Sequence, residues 1–208
     1  MGSRLFVLAD ADSFYASCER VFHPSLAHRP LVVLSNNDGC VVSRSREAKQ
    51  LGISNGLPWF KIRSQAEHDG VIARSSNYEL YASLSARMMR LMASIMPDQE
   101  IYSIDECFLR GFQDPDRTAN ACRRMRDTVL QGIGIPLTVA TAPTRTLAKI
   151  VSHYTKHRGG GIGDWDQLIA TTPDVLDGID VAEVWGGGRR RPRRRPGRGH
   201  TTARGRGP

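Results

Sequence analysis

Three carboxylates stand where apolar runs break off. Leu5–Ala9 is a continuous apolar stretch that ends in Asp10-Ala11-Asp12, and the short runs Glu100–Ile104 and Cys107–Leu109 flank the acidic pair Asp105-Glu106. Acids at the ends of neighbouring central strands can share two Mg²⁺ ions, one lowering the pKa of an attacking hydroxyl and the other neutralising charge on a leaving phosphate group. Mg²⁺ favours such sharing between carboxylates and a substrate phosphate over a closed protein cage. Taken alone, each acidic motif is more often a solvated turn or a helix cap.

A second set of residues has the chemistry of an anion clamp. Ser43, Arg44, Arg46 and Lys49 would bring hydroxyl and cationic donors near a triphosphate if the helix starting near Ser45 points at the acids, because helix N-termini favour anions. Lys149, far along the chain, is a second cationic clamp. Phe14 and Tyr15, just past the first acid, would lie beside a bound sugar, or equally serve as core aromatics. An Asp-x-Asp behind an apolar strand also opens the aspartyl-nucleophile phosphatases of the haloacid dehalogenase class, with Lys149 and the Gly163–Asp166 segment as their later residues. Against that reading, Phe14 replaces the usual Thr or Val, and no apolar strand leads into Asp164.

The elements that must position these residues follow from hydrophobic period and turn chemistry. Leu5–Ala9 and Pro30–Ser35 read as buried strands, the second closed by the turn Asn36-Asn37-Asp38-Gly39. Helices are expected over Phe14–Val21 and Ser45–Leu51. Between Asn77 and Ile95, Leu80, Leu84, Met88, Leu91 and Ile95 recur at three- and four-residue spacing, which predicts an amphipathic helix ended by Pro97. Strands flanking Asp105-Glu106, a helix over Thr118–Leu130, a strand over Leu137–Thr141 and a helix over Thr144–Tyr154 complete the order. Strand, helix, strand, strand, helix, strand is the split βαβ pattern of a ferredoxin-like α+β sheet, with residues 17–76 inserted after the first strand.

Composition narrows the class without naming it. The formal net charge of +8 comes from the tail: nine of the 29 Lys and Arg residues fall between Gly186 and Pro208, where there is no acid. The remaining 20 (29 − 9) face 21 Asp and Glu, so the body gives no bulk-charge sign of nucleic-acid binding. Cys18, Cys40, Cys107 and Cys122 form no C-x-x-C pair, which points away from zinc and toward a reduced, cytoplasmic protein. No apolar run is long enough for a membrane span. After Trp185 only Gly, Arg, Pro, His, Thr and Ala remain, so a disordered tail is expected. It is either a basic nucleic-acid-binding arm or an out-of-frame replacement of the true C-terminus. The abrupt change and the lack of aromatics among the arginines favour the latter.

Seven collinear segments resemble the Y-family lesion-bypass DNA polymerases, and the UmuC branch most closely. They are Asp10–Glu19, Val32–Gly52, Pro58–Lys61, Ser75–Ala82, Glu100–Glu106, Thr144–Lys149 and Val184–Gly186, so the likeness runs from about Leu5 to Gly186. The resemblance implies a palm at 1–16 and 77–154, a small fingers subdomain at 17–76, the start of a helical thumb at 155–185 and the unrelated tail at 186–208. It implies that Asp10, Asp105 and Glu106, with the Ala11 carbonyl, hold two Mg²⁺ ions. It makes Tyr15 a steric gate against the ribose 2′-hydroxyl, with Phe14 packed under the incoming sugar. Ser43, Lys49 and Lys149 match triphosphate-binding positions, with Arg46 beside them where relatives vary between tyrosine and alanine. Asp12 is Asn in some relatives, which argues against an essential ligand. The implied substrates are primer–template DNA and a dNTP, and the implied partners a UmuD-type subunit, RecA or a sliding clamp. Because family members continue into a full thumb and a DNA-gripping little finger, weak or undetectable synthesis is expected of this chain, with a catalytically inactive remnant as the alternative.

Overall fold

The computed structural model describes residues 5–176. The chain opens with strand β1 (Phe6–Ala11) and helix α1 (Phe14–Phe22). Next come a 3₁₀ turn at Pro24–Leu26, β2 (Leu31–Leu34), a tight turn at Asn36–Asp38, β3 (Val41–Arg44), α2 (Arg46–Gln50), α3 (Trp59–His68) and β4 (Ile72–Ser75). From α4 (Tyr78–Ile95) the order is β5 (Gln99–Ile101), β6 (Glu106–Arg110), α5 (Pro115–Ile133), β7 (Leu137–Ala142), α6 (Arg145–His157), β8 (Ile162–Asp164) and α7 (Trp165–Thr171).

Two sheets result. The larger runs β5-β6-β1-β7-β8, and its first four strands pair antiparallel throughout. With α4 and α5 as its two crossovers, this is the expected ferredoxin-like palm. The smaller sheet, β3-β2-β4, belongs to the fingers inserted between α1 and α4. Its own core gathers Val32, Leu34, Val41, Ala48, Ile53, Trp59 and Val71.

Both faces of the palm sheet are covered, which is why β1 and β7 read as continuous apolar runs and not as alternating ones. Val7, Ala9, Cys107, Leu109, Leu137 and Val139 meet the helical layer that includes Met88, Met92, Met125 and Val129. On the opposite face Leu8, Phe108, Ala140 and Ala142 pack against Ala148, Ile150, Val151 and Leu168 of α6 and α7. Each such large side chain contributes about 1.5–3 kcal/mol by leaving water.

Local signals set the helix ends. The Asn77 side chain accepts the Leu80 N–H to start α4, Asp114 followed by Pro115 starts α5, and Gly134 at φ 74 ends it in the left-handed conformation. Helix α2 begins at a Ser45 cap whose side chain accepts the Ala48 N–H. Helix α6 runs one turn beyond the expected Tyr154, to His157, and thereby takes in Lys156. Residues past 154 continue α6 and add β8, parallel to β7, at the edge of the larger sheet. The rest of that segment and the basic tail lie outside the described residues.

Candidate active site

Strand pairing brings the acids together. Asp10 lies opposite Glu106 on β6 and opposite Thr138 on β7, and the Ala11 N–H donates to the Asp105 carbonyl at 2.9 Å. Directly opposed residues share a sheet face with Cβ atoms about 5 Å apart. Asp10 follows Leu8 by two residues, so it points to the face that α6 covers.

That helix supplies the counter-charges. Lys149 and Lys156 are seven residues apart, two turns along one side of α6. Lys149 Nζ sits 2.9 Å from Glu106 Oε1, and 4.2 Å from the centre of the Tyr102 ring. Lys156 Nζ sits 2.6 Å from Asp10 Oδ1 and 3.8 Å from Asp12 Oδ1, and donates to the Ala11 carbonyl at 3.4 Å. Asp105 is held otherwise: its Oδ1 accepts the Ser103 hydroxyl at 2.7 Å, while that Ser103 oxygen accepts the Glu106 N–H at 3.2 Å. Asp12 is engaged by Thr138, whose hydroxyl donates to its Oδ1 at 2.7 Å.

Burial pushes the Asp10 carboxyl up to about 6, and the charges of Asp105 and Glu106 push the same way, while Lys156 pulls it down. Asp10, the Ala11 carbonyl, Asp105 and Glu106 are all oxygen donors, the set that suits Mg²⁺. Ammonium groups already stand against Asp10, the Ala11 carbonyl and Glu106, so cations fit there. Among the described residues, no three His, Cys, Asp or Glu side chains are drawn into a ready-made cage.

A pocket of about 250 Å³ opens beside the acids, between palm and fingers. Asp105, Ala11, Phe14, Tyr15, Ser43, Lys49 and Lys156 line it, so most of the residues singled out in the sequence do converge. Arg46 lines a wider adjoining cleft of about 780 Å³, with Lys49, Lys156 and Arg158. Lys149 is placed against Glu106 and not on either wall; Lys156, which the sequence reading passed over, takes the wall position. Seven-residue spacing from Lys149 was the signal that could have found it. Lys49 is held below the ordinary lysine value, first by desolvation and then by the positive charges of Lys156 and Arg44. Helix α1 starts at the pocket from Ser13, which adopts the left-handed region at φ 49 and makes no side-chain cap, so the positive end of that helix is presented there.

The Tyr15 ring stacks on Tyr81, centroids 4.5 Å apart and planes 17° apart, and meets the edge of Tyr78 at 5.8 Å. Burial raises the Tyr15 phenol above its usual range. The Ser43 hydroxyl accepts the Ala16 N–H at 3.4 Å and so ties β3 of the fingers to α1.

A ferredoxin-like palm with acids on adjacent central strands and a small fingers insert is the arrangement of Y-family DNA polymerases. The insertion ternary complex of Dbh DNA polymerase matches with a TM-score of 0.75 at 28% identity, covering 88% of this chain and 54% of that one. The Y-family polymerase chimera of Dbh and Dpo4 matches with a TM-score of 0.73 at 27% identity, over 88% and 54%. At the level of sequence, the impB/mucB/samB family model matches residues 9–153, and the chain belongs to that family. Protein SamB of Salmonella typhimurium is 46% identical over 204 residues, 96% of this chain and 48% of that protein. Protein UmuC of Salmonella typhimurium is 46% identical over 191 residues, 89% of this chain and 45% of that protein. The chain thus spans about half the length of the curated relatives it matches.

Proposed function

We propose that this chain carries the nucleotidyl-transfer site of an error-prone, lesion-bypass DNA polymerase, acting on primer–template DNA and a dNTP. The observation that carries this reading is Asp10 facing Glu106 across β1 and β6, with Asp105 in the β5–β6 turn beside them, at the mouth of a pocket walled by Tyr15, Ser43, Lys49 and Lys156. Asp10, the Ala11 carbonyl, Asp105 and Glu106 would hold two Mg²⁺ ions, whose Lewis acidity supports loss of the primer 3′-hydroxyl proton and departure of pyrophosphate. Ser43, Lys49, Lys156 and the N-terminus of α1 take the triphosphate, with Arg46 along the adjoining cleft. Phe14 packs under the sugar, and Tyr15 blocks a 2′-hydroxyl. The same reading makes the protein cytoplasmic, with a UmuD-type subunit, RecA or a sliding clamp as partners.

DNA affinity rests largely on phosphate contacts, and the near-neutral body offers few, so extension should be slow and confined to low salt. The test is primer extension and dNTP binding in Mg²⁺ by the chain and its Asp105→Ala and Glu106→Ala variants. Metal-dependent dNTP binding that both substitutions abolish supports the reading, and identical behaviour of all three proteins overturns it. The second reading is a nucleotide-binding module that carries out no synthesis of its own. It would bind dNTP in the same metal-dependent way, yet extend no primer under any condition.

A further inference from the structure

We infer that Tyr81 and Glu19 form a brace that fixes the Tyr15 ring, and that this brace sets how strictly the pocket separates deoxyribose from ribose; the sugar-selection part rests on the reading above. Tyr15 and Glu19 are four residues apart on α1 and so lie on one side of it, one turn above the other. Tyr78 and Tyr81, three apart on α4, face them. One residue engages both members of the α1 pair: the Tyr81 ring lies parallel to Tyr15, and its hydroxyl donates to Glu19 Oε1 at 2.7 Å. Tyr81 is 0% exposed and Glu19 7%. Tyr78 closes the aromatic set edge-on, 6.0 Å from Tyr81.

Filling space does not require this arrangement. Met88, Met89 and Met92 fill the same core from the same helix without a polar atom to satisfy. A buried carboxylate with a buried phenol is costly to bring out of water, and it returns direction, not volume. The direction it gives is the plane of Tyr81, hence of the ring stacked on it. A tyrosine at a pocket mouth excludes a hydroxyl only as far as it resists turning about χ1 and χ2. The stack on one side and the Tyr78 edge on another supply that resistance. Tyr81 is therefore a positioning residue, one that never touches the nucleotide.

Two measurements on the intact chain test this. Aromatic ¹³C relaxation of Tyr15 in the nucleotide-free protein reads ring order directly, and the ratio of Mg·dATP to Mg·ATP affinity reads sugar selection. Tyr81→Leu should loosen the Tyr15 ring and lower the ratio by about three- to tenfold, the worth of one aromatic pair. Tyr81→Phe keeps the stack without the anchor and should fall between. Glu19→Gln, which still offers an acceptor to the Tyr81 hydroxyl, should keep both readouts near wild type. Should Tyr81→Leu fail to fold, Tyr81→Phe decides. Wild-type ring order in the Tyr81 variants overturns the brace, whatever the nucleotide data show. If Tyr15→Ala abolishes the preference while the Tyr81 variants keep it, the inference about selection is overturned and the pocket reading stands. If Tyr15→Ala leaves the preference intact, the gate fails and the selection claim with it, while ring order still judges the brace.

Discussion

Asp10→Asn should make the metal-free protein more stable at neutral pH while removing its metal site. The Asp10 carboxyl is raised from 3.8 to about 6 in the fold, chiefly by burial, with Asp105 and Glu106 adding repulsion. A folded value above the unfolded one means that the native state binds the proton more tightly. Stability from this group is therefore greatest below pH 3.8 and is lost as pH rises through 6. The loss amounts to about 3 kcal/mol for a shift of about two pKa units. The amide of the Asp10→Asn variant would not ionise, and its oxygen could still accept from Lys156, itself exposed enough to reach water. The rise to about 6 already includes the attraction of Lys156, so about 1–3 kcal/mol should be gained at pH 7.5, the lower end allowing for a poorer fit of the amide. Urea unfolding in EDTA followed by far-UV circular dichroism at pH 7.5 and pH 4 measures it. The variant's advantage should shrink to near zero at pH 4, and adding Mg²⁺ at pH 7.5 should stabilise the wild type but not Asp10→Asn. An Asp10→Asn protein no more stable than wild type at pH 7.5, or a gap that persists at pH 4, refutes the argument.

Lys156→Met should weaken Mg·dNTP binding by about tenfold or more, the worth of a charge-assisted hydrogen bond, whereas Lys149→Met should have the smaller effect on triphosphate affinity; titration calorimetry separates the two. Gly163→Ala should lower stability by about 1–3 kcal/mol, seen as a depressed Tm, because its Cβ would fall 2.6 Å from Val151 Cγ1 and also meet the Thr155 hydroxyl in the packing of β8 on α6. Asp164→Ala should cost about 1–2 kcal/mol by removing the cap of α7 and the 2.7 Å bond from Thr141, with Mg·dNTP affinity unchanged. Loss of a phosphomonoesterase activity in that variant would instead revive the haloacid-dehalogenase reading.

The palm was legible because its signals are local and agree with one another. Asn77 before an apolar three-four stripe, Pro97 after it, and two apolar runs ending at acids specify α4, β1 and the β5–β6 turn without reference to the rest of the chain. The order of elements put Asp10 and the Asp105-Glu106 pair at the ends of neighbouring strands, and the register adds that Asp10 lies opposite Glu106. What escaped has a tertiary cause. Strand β8 is three residues long and its central residue is Gly163; it exists because it pairs with β7 and lies on α6, not because of its own propensity. Lys156 was missed because Thr144–Tyr154 looked long enough, and only the extra turn brings a second ammonium over β1. The Tyr15–Tyr81 stack joins residues 66 positions apart in a chain whose aromatics are sparse, and no periodicity announces it.

Lys156 connects the two halves of the site. Along one face β1 presents Phe6, then Leu8, then Asp10, passing from a ring covered by Arg110 through the core to a carboxylate crowded by two others. Crowded acids are unfavourable unless cations share them, and α6, which buries Ala148 and Val151, supplies two from another side, Lys149 and Lys156. Lys156 thus has two possible partners: Asp10 with the Ala11 carbonyl, or an anion in the pocket whose wall it also forms. On the proposed reading these compete for a single ammonium. A triphosphate that draws Lys156 away leaves the Asp10 carboxyl without its cation, which raises its affinity for a proton and for a divalent ion alike. A divalent ion at Asp10 in turn releases Lys156 to the phosphates. Each ligand binding alone must break the 2.6 Å pair, whereas the second to arrive finds it already broken, so nucleotide and metal should strengthen each other's binding through this one side chain.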